Sequence, residues 1–232
     1  YRIIERDEAG ARGFSGLSKW LLQAETIWKA KRGEKVERQT VYQWLDYNQK
    51  LISQSSRTKF KVLYNTSGTY LVSCVARNET CQIAVDGATI KSNGLVADAK
   101  TYYWDTDNGK EAHYIVGFLN APVIDRLIKP MQSKGDFGER DIHKKVLELP
   151  IPKYKQDNKT HMLLSELAEA CAARVRSLLP ALSEKYDSVG KIRQVIKQEL
   201  DREISQIDSI AKGILLSSRK VQKLDKLLRQ EL

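Results

Sequence analysis

Residues 141–170, DIHKKVLELPIPKYKQDNKTHMLLSELAEA, set a run of strand character directly ahead of an amphipathic helix. The segment HKKVLELPIP reads as a β run closed by Pro150 and Pro152, which lack the N–H that a ladder needs and hold the chain extended. Asn158 or Thr160 can cap the helix that follows, and Leu164, Leu167, Cys171, Val175 and Leu178 form its apolar seam. The two prolines therefore launch the helix at a fixed angle. They also divide the chain into an α+β region, residues 1–155, and a helical, coiled-coil-like tail, residues 156–232.

Upstream, residues 14–31 place Phe14, Leu17, Leu21, Ala24 and Trp28 on one helical face, with Ser15 or Ser18 available as a cap. A shorter helix is expected within residues 41–52, beyond the basic loop KRGEKVERQ. The period then changes to two. TKFKVLYN and TYLVSCVA alternate as strands, and short β-branched pieces continue to Trp104, punctuated by Asp86-Gly87 and Asn93-Gly94. A mixed β-sheet with packed helices follows from this order. AHYIVGFLNAPVIDRLIKPMQ returns to helix, with Ala121-Pro122 starting or kinking a second segment. In the tail, Leu200, Ile207, Ile214, Val221 and Leu228 recur every seven residues, and Gly213 with Ser217-Ser218 is expected to break the seam into two helices. Trp20, Trp28 and Trp44 lie on helical faces and are expected in the core.

The 232 residues carry 39 Lys and Arg against 29 Asp and Glu, a formal +10 that favours phosphate-rich or acidic partners, and most of the excess lies in residues 1–155. Cys74, Cys81 and Cys171 lack metal-ligand spacing and read as small buried residues of a reducing compartment. With no apolar run of membrane-span length and no signal peptide, a cytoplasmic protein without membrane contact is expected. The opening at Tyr1 without an initiating Met suggests a piece of a longer chain.

The motifs of several catalytic classes are missing from the sequence. There is no Gly-x-Gly loop, no P-loop and no Gly-x-Ser-x-Gly elbow. His113, His143 and His161 lack metal spacing and read as packing or surface residues, so no catalytic residue, metal ligand or cofactor is assigned to this chain. Asp136, Glu139 and Lys144 or Lys145 could be assembled into a metal-dependent nuclease site, but they read better as a charged loop.

The succession KFKVLYN, HYIVGFLNAPVIDRLIKPM, IHKKVLELPIP and HMLLSELAEACAARV resembles the C-terminal specificity part of adenine-specific DNA methyltransferases from bacterial restriction-modification systems. Tyr114 to Ala121 matches that family's helix, which opens on Tyr and closes on Asn followed by Ser or Ala, and Leu149 to Pro152 matches its Leu-Pro-Ile-Pro segment. The tail DREISQIDSIAKGILLSSRKV is similar to the family's closing segment, so the likeness spans roughly residues 40–220. The family's catalytic half carries a Gly-rich cofactor turn and an Asn/Asp-Pro-Pro-Tyr/Phe motif; neither occurs here. The loop SKGDFGERD keeps Gly135, Phe137, Gly138 and Arg140 in a looser form than the family's Gly-Gly loop. The resemblance implies a target-recognition domain that binds double-stranded DNA. Its partner would be a catalytic methyltransferase domain, and S-adenosylmethionine would serve only that catalytic half.

On this reading Arg57, Lys59, Lys61, Lys134, Lys144 and Lys145 are the candidate phosphate contacts, and Arg77, Asn78, Asn93 and Arg140, in turns that could reach outward, are the candidate base readers. The flipped-base pocket would belong to the catalytic half. Two competing readings are a specificity subunit of a multisubunit restriction system and a helical module whose Leu200–Leu228 seam binds a partner or a second copy.

Overall fold

The protein is described by a computed structural model covering residues 1–85, 88–98, 100–135 and 138–217. The fold is α+β: helices are combined with a small antiparallel sheet, and the C-terminal part is helical. Two compact units are present, residues 1–57 with 96–99, and residues 58–95 with 100–232. The boundary drawn at 155/156 from the sequence falls inside the second unit.

In the first unit, α1 (Arg6–Ala11), α2 (Ser15–Lys31) and α3 (Val41–Leu45) enclose a small core of Ala9, Leu21, Val41 and Tyr42. The Tyr42 hydroxyl donates to Glu25 at 2.7 Å and accepts from the Arg6 N–H at 3.0 Å, which ties the three helices together. Helix α2 begins without the expected serine cap, since Phe14 occupies the cap position. Helix α3 instead has a full capping box, Thr40 with Gln43. Trp28 packs against the core, but Trp20 and Trp44 are 57% and 51% exposed, contrary to the expectation for all three. Three short helices cannot enclose three indoles, and the face of α2 that carries Trp20 points to solvent.

The second unit is built on β1 (Phe60–Asn65), the centre of a three-stranded antiparallel sheet between β2 (Ser73–Arg77) and β5 (Thr101–Thr106). Strands β3 (Thr80–Val85) and β4 (Ala88–Asn93) pair only with each other among the described residues. Phe60, Val62 and Tyr64 alternate onto the face that packs on the core, beneath α4 (Gly109–Leu119). Asn108 caps α4 by accepting from the Lys110 and Glu111 N–H groups. Pro122 opens α5 (Pro122–Ile128) as expected. Its cap residue, Ala121, has no side-chain acceptor, and Asp208 of α8 (Asp201–Ser217) takes the role by accepting from the Val123 N–H at 2.5 Å.

The opening stretch departs from expectation. Lys145–Glu148 form a 3-10 turn rather than a strand, and residues 149–153 have no regular structure and no strand partner among the described residues, the Ile151 N–H donating to the Leu149 carbonyl at 2.8 Å in a tight turn about Pro150. What they hold is α4: the Tyr114 hydroxyl donates to the Pro152 carbonyl at 3.0 Å, and the Tyr114 ring stacks on His161 with centroids 4.6 Å apart. Asn158 caps α6 (Lys159–Lys185) as expected, accepting from Thr160 and His161 N–H groups. The N-terminal half of α6 lies on α4, so closely that a Cβ on Gly117 would stand 3.0 Å from Leu164 and 3.3 Å from Ala168. A short connection leads to α7 (Val189–Glu199), and the chain turns at Leu200 into α8, which runs through Gly213 unbroken. Leu200, Ile207 and Ile214 of the heptad seam are buried; Val221, Leu228 and Ser218 lie outside the described residues.

A valine at Gly117 needs more space than α6 leaves and is expected to destabilise the second unit by about 2 kcal/mol through overpacking, read as a lower urea midpoint with the m-value unchanged. Two small hydrogen-bond probes of the same scaffold, Tyr114→Phe and Asn120→Ala, are each expected to cost about 1 kcal/mol by the same measurement.

Candidate nucleic-acid interface

Polar side chains can read a partner only where the scaffold leaves them outside. Asn120, at the end of α4, grips the edge strand: its Oδ1 accepts from the Ser73 N–H at 2.8 Å, and its Nδ2 donates to the Ser73 carbonyl at 2.9 Å. The side-chain amide thereby substitutes for a missing strand neighbour and fixes β2. From β2 the chain turns through Asn78 and Glu79 into the β3–β4 ribbon. Asn78 secures the root of that ribbon. Its N–H donates to the Lys59 carbonyl at 2.9 Å, its Nδ2 to the Thr58 carbonyl at 2.8 Å, and its Oδ1 accepts from the Leu95 N–H at 2.8 Å.

The ten candidate contact residues divide on this frame. Lys61 is fully buried, with its Nζ 2.8 Å from Asp105 and 4.9 Å from the centre of the Tyr103 ring. It is a structural cation and not a phosphate contact, because the alternation that turns Val62 onto α4 turns Lys61 onto the opposite, covered face. Asn78 is likewise a brace: both ends of its amide are engaged by backbone. Arg57 is exposed. Lys59 and Arg77 are exposed at the end of the sheet where β1 starts and β2 finishes, beside the ribbon root, and Asn93 is exposed on β4.

The remaining basic candidates collect at the other end of β1. Arg140 is exposed, its carbonyl accepting from the Gly68 N–H, while Ile142 and His143 donate backbone N–H groups to Thr66. Lys144 is exposed, and Lys145 is half-buried with its Nζ 3.7 Å from Glu148. Lys134 opens β6 (Lys134–Gly135), which pairs with β7 (Gly138–Glu139), but its side chain and that of Glu139 fall outside the described set, as does Asp136. The two basic groups thus flank a six-residue strand, a separation of about 20 Å.

Side chains that the sequence reading passed over join Asn93 on the ribbon. Thr80, Gln82, Ala84, Thr89, Lys91 and Asn93 are all exposed. The clue available beforehand was the alternation of polar residues through TCQIAV and ATIKSN; which pairs face each other needed the register. Cys74 and Cys81 are exposed as well and only Cys171 is partly buried, so two of the three cysteines do not pack as expected.

A groove of about 480 Å³ lies between β2, α4, α6 and α8, walled by Val75, Val116, Ala168 and Ile204 with Arg77 and Arg176 also lining it. His113 is buried there, and its Nδ1 has no hydrogen-bond partner among the described residues. Burial pushes the His113 imidazole below its ordinary pKa, and the same cause lowers His161, whose Nδ1 accepts from the Lys155 N–H at 3.1 Å. Glu169 is held below the usual carboxylate range by the hydrogen bond from Lys110. Among the described residues no group of three or more His, Cys, Asp or Glu side chains could hold a metal ion, and no helix is long and apolar enough to cross a membrane. No protein-family model, no curated protein and no solved structure matches the chain.

Two predictions follow from the buried groups. Lys61→Ala strands Asp105 without its partner and is expected to cost about 3 kcal/mol, whereas Lys59→Ala should leave the urea midpoint unchanged. His113 and His161, both depressed below the usual 6.5, bind protons more readily in the unfolded chain. Their contribution is complete above about pH 6.5 and is lost as pH falls through the lower folded-state values. Urea midpoints measured from pH 7 to pH 5 should therefore fall, and His161→Phe should flatten that slope while lowering the midpoint at pH 7.

Proposed function

We propose that this chain is the DNA-recognition part of a restriction-modification DNA adenine methyltransferase, holding duplex DNA for a catalytic half that binds S-adenosylmethionine. The observation that carries the reading is the β3–β4 ribbon, which pairs with no other described strand and presents exposed polar side chains beside the exposed cations Lys59 and Arg77. A two-stranded ribbon is one of the few elements that B-DNA's major groove admits, and loops and hairpins on a rigid scaffold are where recognition side chains concentrate.

Two further observations support it. The four segments that carry the resemblance, from β1, α4 with α5, residues 142–152 and α6, are distant in sequence yet all contribute to one hydrophobic core. They form the scaffold, and the ribbon lies outside them. The net charge of +10 supplies the long-range attraction that a polyanion requires. The reading as a helical interaction module loses its described basis, because Leu200, Ile207 and Ile214 are spent on the chain's own core.

Fluorescence anisotropy on randomised duplexes at several salt concentrations, with sequencing of the bound fraction, tests the proposal. An enriched motif is expected, with affinity dropping about 100-fold between 50 and 200 mM salt if roughly four phosphates are neutralised. Absence of binding at the lowest salt would overturn it.

A further inference from the structure

The register of the ribbon sorts its side chains. Thr80 faces Asn93, Gln82 faces Lys91 and Ala84 faces Thr89. Directly opposed residues of an antiparallel pair share a face, and every second residue along a strand returns to it. These six therefore form one continuous face, and all six are exposed.

The chemistry of that face is selective. It holds two carboxamides, one ammonium, two threonines and an alanine, with no carboxylate and no large apolar group. Asn and Gln amides match the N6 and N7 edge of adenine, a Lys ammonium matches O6 and N7 of guanine, and Thr or Ala methyl groups pack on the thymine methyl. Strands about 4.8 Å apart fit a groove about 12 Å wide. Successive rungs of one face are about 7 Å apart, close to two base-pair steps, so three rungs cover about five base pairs. An isolated two-stranded ribbon is marginal in water, which is consistent with an element completed by its partner.

We infer that this face reads DNA in the major groove, with Gln82, Asn93 and Lys91 recognising purine edges in a target of about five base pairs that contains both adenine and guanine. Thr80, Thr89 and Ala84 contact thymine methyls. Lys59 and Arg77, at the ribbon root, take the flanking phosphates and fix the register. This assignment rests on the DNA-binding reading above and adds to it the residues that read and the bases they take.

The test uses the full chain and Gln82→Ala, Lys91→Ala and Asn93→Ala, each checked for an unchanged thermal midpoint. Each variant is expected to lose about tenfold or more on the motif enriched by the wild type, to lose about threefold or less on a scrambled duplex, and to relax selection at one position. A second measurement needs no variant: replacing the motif's purines by 7-deazapurines removes the N7 acceptors of the major groove and should weaken wild-type binding about tenfold per contacted purine. A wild-type motif that all three variants select with unchanged affinity, and that tolerates 7-deazapurines, would overturn the ribbon assignment and leave DNA recognition standing. A wild-type chain that binds no duplex at low salt would remove both.

Discussion

Helices α4 and α6 meet at Gly117, where a single added methyl group would stand 3.0 Å from Leu164. That close approach is the constraint on which the second unit depends. It seats Tyr114 where its hydroxyl reaches the Pro152 carbonyl and its ring stacks on His161. It also buries Ser165 within hydrogen-bond reach of the Lys110 carbonyl, so that hydroxyl is satisfied. With α4 fixed from above by α6, its other side is free to cover β1, and Asn120 at its end reaches the edge of β2. The Leu-Pro-Ile-Pro element belongs to this arrangement as an acceptor strap. Its prolines keep residues 149–153 from joining a ladder, which leaves the Pro152 carbonyl available to a side chain.

A scaffold braced in this way can carry the β3–β4 ribbon. Asn78 joins the start of β1, the end of β2 and Leu95, two residues beyond β4, with three hydrogen bonds, so the ribbon root is held although its length pairs with nothing else described. The division of labour is physical. Side chains whose hydrogen bonds are already spent on backbone, such as Asn78 and Asn120, cannot read a partner without releasing a brace. Side chains on the ribbon face are exposed instead.

The same logic separates cations that look alike in the sequence. Lys59 and Lys61 stand two residues apart, yet Lys59, just ahead of β1, is exposed and Lys61, on the strand, is buried against Asp105. A period of two predicts that they share a face; that Lys61 is covered and Lys59 is not is a matter of long-range packing. Trp20 and Trp44 err in the other direction, since an apolar residue on a helical stripe is a candidate for the core only if a partner surface arrives to cover it.

Much of the local structure was determined by the sequence alone: the helix at residues 15–31, the strand at 60–65, the Asn158 cap and the proline-opened helix at 122 all rest on short-range patterns of burial, capping and backbone freedom. The exposed positions of Arg77, Asn93 and Arg140 were legible for the same reason, because turn and strand-end residues tend to face water. Tertiary structure alone decided that Lys145–Glu148 would coil into a 3-10 turn, that α8 would run through Gly213, and that the compact units would divide at residue 57. It alone also placed Gln82 opposite Lys91 and Thr80 opposite Asn93. Strand register and burial depend on contacts between residues far apart in the chain, and a one-residue slip would carry every side chain to the other face.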